Sequence, residues 1–428
     1  MSVDVSTLSV RAFFGSLRKS RLLEEHDILA WQARRSLPDD PQLITRLMIR
    51  ERALTPFQAE QLLQGNEFNF HVGSYRILDQ LGVGNKGTLY LAEHRAMQRQ
   101  VALKLLHQEK AESRLSLERF YREGRITASL NHPNIVKLYD FVEEGDQPCL
   151  MMEYVEGQTL AQMVSTLGQL NYEKAIGFVR QAAAGLKHAH SKGVIHRDIK
   201  PSNLMLDKYG CVKILDMGHS RFTDDEEMNV TKMYDPKSVV GTVDFVAPEQ
   251  ALGEQIDSRC DIYSLGATLF TLIAGRPPFI GNAYQMLMAH QVQDPPPVNQ
   301  FNPACPVAII PIIAKMMAKN PAARYQSADE VIKALAPWQE LQPIECAATI
   351  PTASMITKTL PVMTLEIAPT RPKSKVASVV KPASVVVSIV KPVTVKTKPP
   401  APRMAPSALF AGIVLAVLAV GVIVYKLL

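Results

Sequence analysis

The sequence predicts an α+β protein: a small helical region at the N-terminus, a β-rich segment, a longer helix-rich segment and a single transmembrane helix at the C-terminus. Three observations carry that expectation. From Tyr75 to Leu106 the chain breaks into short runs of strand-forming residues separated by glycine-rich or polar turns. From Tyr172 onwards the apolar spacing is helical, and Asp261–Ala274 is apolar on nearly every face, the mark of a buried helix too short to cross a membrane. Finally, Ala408–Tyr425 is 18 residues without a charge or a proline. As a helix that is about 27 Å, enough for a bilayer core.

At 428 residues the chain has room for one domain of roughly 250 residues with extensions, or for two to three smaller domains. The net charge of +6 belongs to the tail: no acidic residue follows Glu366, whereas Arg371, Lys373, Lys375, Lys381, Lys391, Lys396, Lys398, Arg403 and Lys426 are basic. That tail lacks interleaved aromatic residues and a folded scaffold, which argues against nucleic acid as a partner. Cys149, Cys211, Cys260, Cys305 and Cys346 are scattered and form no CxxC pair. Buried thiols in a reducing compartment are therefore expected, rather than a disulfide framework or a structural zinc. No basic stretch followed by an apolar run opens the chain, so no secretory signal is expected.

Residues 1–70 read as helical with a polar face. Asp39-Asp40-Pro41 separates two faintly similar halves, Leu17–Leu23 and Met48–Leu54. Thr55 is an N-cap with Pro56 at the first helical position, and Phe57, Leu62 and Leu63 form the apolar face of the helix that follows. Two readings stand for this region: a docking or regulatory module, or an extension that packs on the next domain. The β-rich segment opens with Tyr75–Leu81, then Gly82-Val83-Gly84-Asn85-Lys86-Gly87, then Thr88–Ala92 and Gln100–Leu106. Strand formers, not a helix start, follow Gly87. The glycines therefore sit in a hairpin, a flap whose backbone amides are open to phosphates because no side chains block the approach. Lys104 interrupts an apolar run, where an unpaired ammonium is costly, so it needs anions. Phosphates beneath the flap are one source; a carboxylate of the helix Leu115–Leu130 is another, with Glu123 and Glu118 in competition.

The chain is organised around His196-Arg197-Asp198-Ile199-Lys200-Pro201-Ser202-Asn203, a loop between an amphipathic helix, Tyr172–Lys192, and a hairpin with its turn at Asp207–Gly210. Taken in order, Gly82, Gly84 and Gly87, Val101-Ala102-Leu103-Lys104, Glu123 ahead of Leu130–Val136, this loop, Asp216-Met217-Gly218 and Ala247-Pro248-Glu249 resemble the motifs of eukaryotic-type protein kinases. The chain is most similar to bacterial serine/threonine kinases of that type with a C-terminal transmembrane anchor. The resemblance covers Tyr75–Trp338. It implies the two-lobed protein kinase fold, with a β-rich small lobe and an α-helical large lobe, and the use of ATP and Mg2+ to phosphorylate Ser/Thr hydroxyls of proteins, including the kinase itself.

What the resemblance implies for single residues is specific. Asp198 is the base that receives the acceptor hydroxyl's proton; Lys200 faces the transferring phosphoryl group; Lys104 holds the α- and β-phosphates and Glu123 orients it. Asn203 and Asp216 are the magnesium ligands. ATP is bound by Leu81, Gly82, Val83, Gly84, Asn85, Lys86, Gly87, Thr88 and Leu89 of the flap, by Ala102 and Lys104, by Met152, Glu153 and Val155 of the hinge, and by Met205. Met217, Phe245 and Leu89 depart from the family pattern, but none removes a charge or a metal ligand. A catalytically silent scaffold would be marked by loss of Lys104, Asp198, Asn203 or Asp216, and all four are present.

By the same resemblance Glu249 pairs with Arg324, Asp261 reaches back to the catalytic loop backbone, and Gly241-Thr242 lies in the substrate-docking loop. Arg197 is expected to clamp a phosphorylated Thr231, Ser238 or Thr242, with Thr223 less favoured. The acidic run Asp224-Asp225-Glu226-Glu227 reads as a solvated loop. Residues 339–407, rich in proline, valine and lysine, are expected as an extended linker. With its basic side upstream, the helix at 408–425 is expected to anchor the chain in the cell membrane, lipid bilayer as partner and kinase domain cytoplasmic. Ala408, Gly412 and Ala416 form a candidate helix-pairing face, which makes a homodimer a candidate assembly.

Overall fold

The computed structural model describes residues 8–338, apart from 66–67, 85–86, 108, 110–112, 145–146, 218–220 and 223–242. The linker expected over 339–407 lies outside the described residues.

Four short helices come first: α1 (Val10–Ser20), α2 (Glu25–Gln32), α3 (Pro41–Arg50) and α4 (Pro56–Leu63). Their starts follow from local chemistry. Ser9 and Asp40 accept hydrogen bonds from the first-turn amides of α1 and α3, and Thr55 with Gln58 forms a reciprocal capping box on α4. Proline stands at the first position of α3 and α4, where its missing N–H costs nothing.

A six-stranded antiparallel sheet follows: β1 (His71–Val72), β2 (Tyr75–Val83), β3 (Gly87–His94), β4 (Arg99–Leu106), then β5 (Leu138–Glu144) and β6 (Gln147–Glu153), in the order β1-β2-β3-β4-β6-β5. The helix α5 (Arg114–Ser129) lies between β4 and β5 in the chain. Strand period decides what each face does. Tyr90, Ala92, Val101, Leu103, Cys149 and Met151 share one core with Phe13, Phe14, Leu17, Ile44, Met48 and Leu62 of the four helices. The alternate residues face the other way, where Leu106, Phe120 and Leu150 form a small cluster beside α5. The N-terminal helices thus pack on the sheet, which is compatible with either reading.

The helical part begins after β7 (Gly157–Thr159) with α6 (Leu160–Leu167) and α7 (Tyr172–Ser191). Then come β8 (Val194–Ile195), a 3-10 turn at Pro201–Asn203, and the hairpin of β9 (Leu204–Asp207) and β10 (Val212–Ile214). β11 (Arg221–Phe222) pairs back with β8. Five further helices close the unit: α8 (Pro248–Leu252), α9 (Arg259–Ala274), α10 (Ala283–Val292), α11 (Ile310–Met316) and α12 (Ala328–Leu335). α9 is buried from Cys260 to Ala274, so the sequence expectation of a central buried helix holds, with its start two residues earlier. Gly185 on α7 leaves room for the hairpin: a Cβ there would stand 2.8 Å from Ile214 Cδ1 and 3.0 Å from the Asn134 carbonyl oxygen. Asn134 and Val136, after α5, pair with Ile214 through main-chain bonds of 2.9 and 3.0 Å, which joins the segment leading into β5 to the hairpin.

One sequence expectation is corrected. No helix among the described residues is long and apolar enough to cross a membrane, and residues 408–425 lie outside the described residues. The transmembrane helix, the lipid bilayer as partner and the membrane location are therefore not carried forward. Among the described residues Cys149, Cys260 and Cys305 are free and buried, as expected of thiols.

Candidate active site

Lys104 and Ala102 lie two residues apart on one face of β4, opposite the face that Val101 and Leu103 give to the N-terminal core. Leu89 on β3 is the register partner of Lys104, and Met152 on β6 is that of Ala102. Leu89, Ala102, Lys104 and Met152 are thereby set abreast on the inner face. Lys104 Nζ donates to Glu123 Oε1 and, at 3.2 Å, to Asp216 Oδ1. Glu123, buried on α5, is the partner; Glu118 bonds instead to Arg114, one turn back on the exposed side. Burial by itself lowers the Lys104 pKa, but the charges of Glu123 and then Asp216 outweigh it and hold the ammonium above the ordinary lysine range.

The loop 196–203 is fixed mainly through its backbone. Asp261, wholly buried on α9, accepts from the amides of His196 (2.9 Å) and Arg197 (2.8 Å) and from His190 Nε2 (2.8 Å). Burial raises the Asp261 pKa, yet the hydrogen bond and charge of His190, followed by His196, leave it below the ordinary carboxylate range. Gln250 Nε2 on α8 donates to the Arg197 carbonyl at 2.9 Å, and Arg197 adopts the uncommon φ of 68°. His196 accepts from the Asp198 amide with Nδ1 (3.2 Å) and donates from Nε2 to the Leu215 carbonyl (3.1 Å). The Leu215 amide in turn donates to the Asn203 carbonyl at 2.8 Å. Leu215 is clamped at both ends, which sets Asp216 beside the loop.

At the centre, Lys200 Nζ stands 2.8 Å from Asp198 Oδ2, and Asn203 Nδ2 donates to both the Asp198 carbonyl (2.8 Å) and Oδ2 (3.0 Å). The Asn203 amide nitrogen is thereby engaged, and its oxygen is the atom left to face a cation. With the Asp216 carboxylate this makes a hard-oxygen pair suited to Mg2+. Among the described residues no group of three or more His, Cys, Asp or Glu forms a metal cage. None is needed, because Mg2+ on phosphates keeps waters and takes only one or two protein ligands. The flap glycines are fixed by backbone contacts. Gly84 N–H donates to the Gly87 carbonyl at 2.9 Å, closing the turn, and a Cβ on Gly87 would stand 2.2 Å from the Leu105 oxygen.

The remaining expected residues divide. Leu81 and Val83 are exposed on the flap, Thr88 is buried with its hydroxyl 3.1 Å from His107 Nε2, and Met205 pairs with Thr159 and Lys213 beneath the hinge. Glu153 turns its carboxylate to Lys213, at 2.7 Å, so only its backbone faces the hinge, followed by buried Val155. Met217 is buried in the large-lobe core. Asn85, Lys86, Gly218, Thr223, the acidic run 224–227, Thr231, Ser238, Gly241 and Thr242 lie outside the described residues. His190, Gln250 and Leu215 escaped the sequence reading. Gln250 alone had a signal, a glutamine three residues into a proline-started helix, the capping pattern.

A six-stranded sheet over a helical body, with a paired lysine under a glycine flap and a carboxylate-lysine-asparagine loop below, defines a nucleotide-dependent phosphoryl-transfer enzyme. The chain belongs to the protein kinase domain family, whose sequence model matches residues 75–336. It is 37% identical over 260 residues to serine/threonine-protein kinase PrkC of Bacillus subtilis, covering 60% of this chain and 39% of that protein. To serine/threonine-protein kinase PknB of Mycobacterium leprae it is 38% identical over 262 residues, 60% of this chain and 42% of that protein. The chain thus spans about two fifths of the length of these relatives. The solved kinase domain of Mycobacterium tuberculosis PknI, in a cysteine-to-alanine variant, superposes with a TM-score of 0.50 at 26% identity, covering 63% of this chain and 98% of that one. Residues 75–336 are thus a protein kinase domain.

Proposed function

We propose that this chain is a catalytically competent kinase that phosphorylates serine and threonine hydroxyls of other proteins and of itself. One observation supports this above the rest: Lys104, Glu123 and Asp216, from three separated segments, meet in one ion-paired group. A scaffold that had abandoned catalysis would have no use for that arrangement. Mg-ATP supplies the phosphoryl group and the cation that offsets its charge. Lys104, held by Glu123, would bind the phosphates of the nucleotide, and Asn203 and Asp216 would hold the metal. Asp198, oriented through Oδ2 by Asn203 and Lys200, takes the acceptor hydroxyl's proton. Its position matters more than its basicity, because a loose transition state makes proton transfer late. Lys200 offsets charge on the phosphoryl group as it moves.

The test is autophosphorylation of the full chain with γ-labelled ATP and Mg2+. The wild-type chain incorporates label, and Asp198→Ala and Lys104→Met do not. Equal incorporation in all three overturns the proposal.

A further inference from the structure

The sheet edge nearest the flap is held by a helix outside the catalytic segment. β1 pairs with β2 only at His71–Arg76 and Val72–Tyr75, with one further bond from the Ile77 amide to the Phe70 carbonyl at 2.8 Å. Past that point no strand covers the outer edge of β2 among the described residues. Here β2 is irregular: its register with β3 jumps from Ile77 to Asp79 and again from Gln80 to Gly82, leaving Leu78 and Leu81 unmatched. Consecutive carbonyls of a regular strand point to opposite edges, but a bulge lets two turn the same way. Both are met by the first turn of α4. Gln58 Nε2 donates to the Ile77 carbonyl at 2.7 Å and Thr55 Oγ1 to the Leu78 carbonyl at 2.5 Å. The donors are themselves locked: Gln58 Oε1 accepts from the Thr55 amide (3.0 Å), Thr55 Oγ1 accepts from the Gln58 amide (3.2 Å), and Gln58 is 3% exposed.

We infer that Thr55 and Gln58 are positioning residues for nucleotide binding: their capping box pins the β2 bulge and so sets the angle at which the flap leaves the sheet. A bulge bends and twists its strand, and Leu78 lies only four positions before Gly82, the first flap glycine. Released from α4, the bulge would leave two sheet-edge carbonyls unpaired and the flap free to swing from the phosphates. The N-terminal helices thereby act on the site without touching it. The inference rests on the kinase reading of the flap.

The test uses the full chain and reads Kd for a fluorescent ATP analogue, KM for ATP and kcat of autophosphorylation. Thr55→Val removes the hydroxyl and keeps the shape, Gln58→Leu removes the amide, and Thr55→Ser restores the hydroxyl. Leu17→Ala, buried in the same core on α1 and making none of these hydrogen bonds, controls for loss of stability alone. The expected result is a three- to tenfold rise in Kd and KM for Thr55→Val and Gln58→Leu with kcat within twofold. Thr55→Ser should match the wild type, and Leu17→Ala should lower Tm with Kd unchanged. Thr55 is only half-buried, so its variants keep the comparison usable if Gln58→Leu unfolds. Unchanged Kd in Thr55→Val, or an equal rise in Leu17→Ala, overturns the inference. A wild-type chain that binds no nucleotide removes the kinase reading, and this inference with it.

Discussion

An ammonium in an otherwise apolar strand keeps its charge only if anions face it, and Lys104 has two. Its raised pKa sets the sign of any pH effect. Stability from the pairing is complete below the ordinary lysine value of 10.5 and is lost only as pH rises through the folded-state value above it. Lys104 therefore adds no pH dependence near neutrality. His290 does the opposite. It is fully buried, with Nδ1 2.8 Å from the Tyr263 hydroxyl, and burial, then the charge of Lys319, lowers its pKa to about 4 from 6.5. A depressed base is neutral in the fold, so its stability is present above pH 6.5 and is lost as pH falls towards 4. Urea denaturation across that window should show the wild type losing stability faster than His290→Gln, and parallel curves would exclude the assignment. Asp261 is the residue on which the catalytic loop hangs. Asp261→Asn keeps the shape but weakens charged hydrogen bonds of the kind that contribute about 1.5–3 kcal/mol each. The expected outcome is a drop in unfolding free energy of at least that size, with reduced autophosphorylation. An unchanged denaturation midpoint would show that the loop is held by something else.

At the scale of elements, α8 is tied to the turn before α12 by Arg324. Its guanidinium grips Glu249 through two bonds of 2.6 and 2.7 Å and donates to the carbonyls of Ala318, Arg259 and Lys319, with both side chains buried. Removing one partner leaves the other charged and dry, so Arg324→Met should cost about 3–5 kcal/mol in chemical denaturation. Replacing Glu249 as well should recover part of that loss. Gly185 makes a steric counterpart on α7. The close approach of Ile214 and the Asn134 carbonyl predicts that Gly185→Ala is destabilising by about 1–3 kcal/mol, although alanine is the better helix former. A stabilised variant would mean that the hairpin can move aside. Such elements were mostly legible in advance: α7 and α9 were expected within a residue or two, as were the hairpin turn and the flap. Their apolar periods and glycines are local signals. What spacing left open was the choice between Glu118 and Glu123, which depends on how α5 is rotated against β4.

The largest consequence concerns the molecule as a whole. Residues 8–65 share a core with the outer face of the sheet, so removing them exposes Ile77, Tyr90, Val101, Leu103 and Met151 together. A chain starting at Phe68 should therefore have a lower Tm and bind a hydrophobic dye in its native baseline. A truncated chain as stable and monodisperse as the full one would favour the detachable-module reading. The kinase motifs, and with them the family and the β-rich then helix-rich order of the chain, were determined by the sequence alone, because each rests on residue type and local spacing. Tertiary structure decided what those motifs lean on: Asp261 with His190 and Gln250 behind the loop, and α4 against the bulge of β2. These are contacts between segments far apart in the chain, and no periodicity records them. Charge and hydropathy in the tail raised the expectation of a membrane anchor, and no helix among the described residues is long and apolar enough to be one.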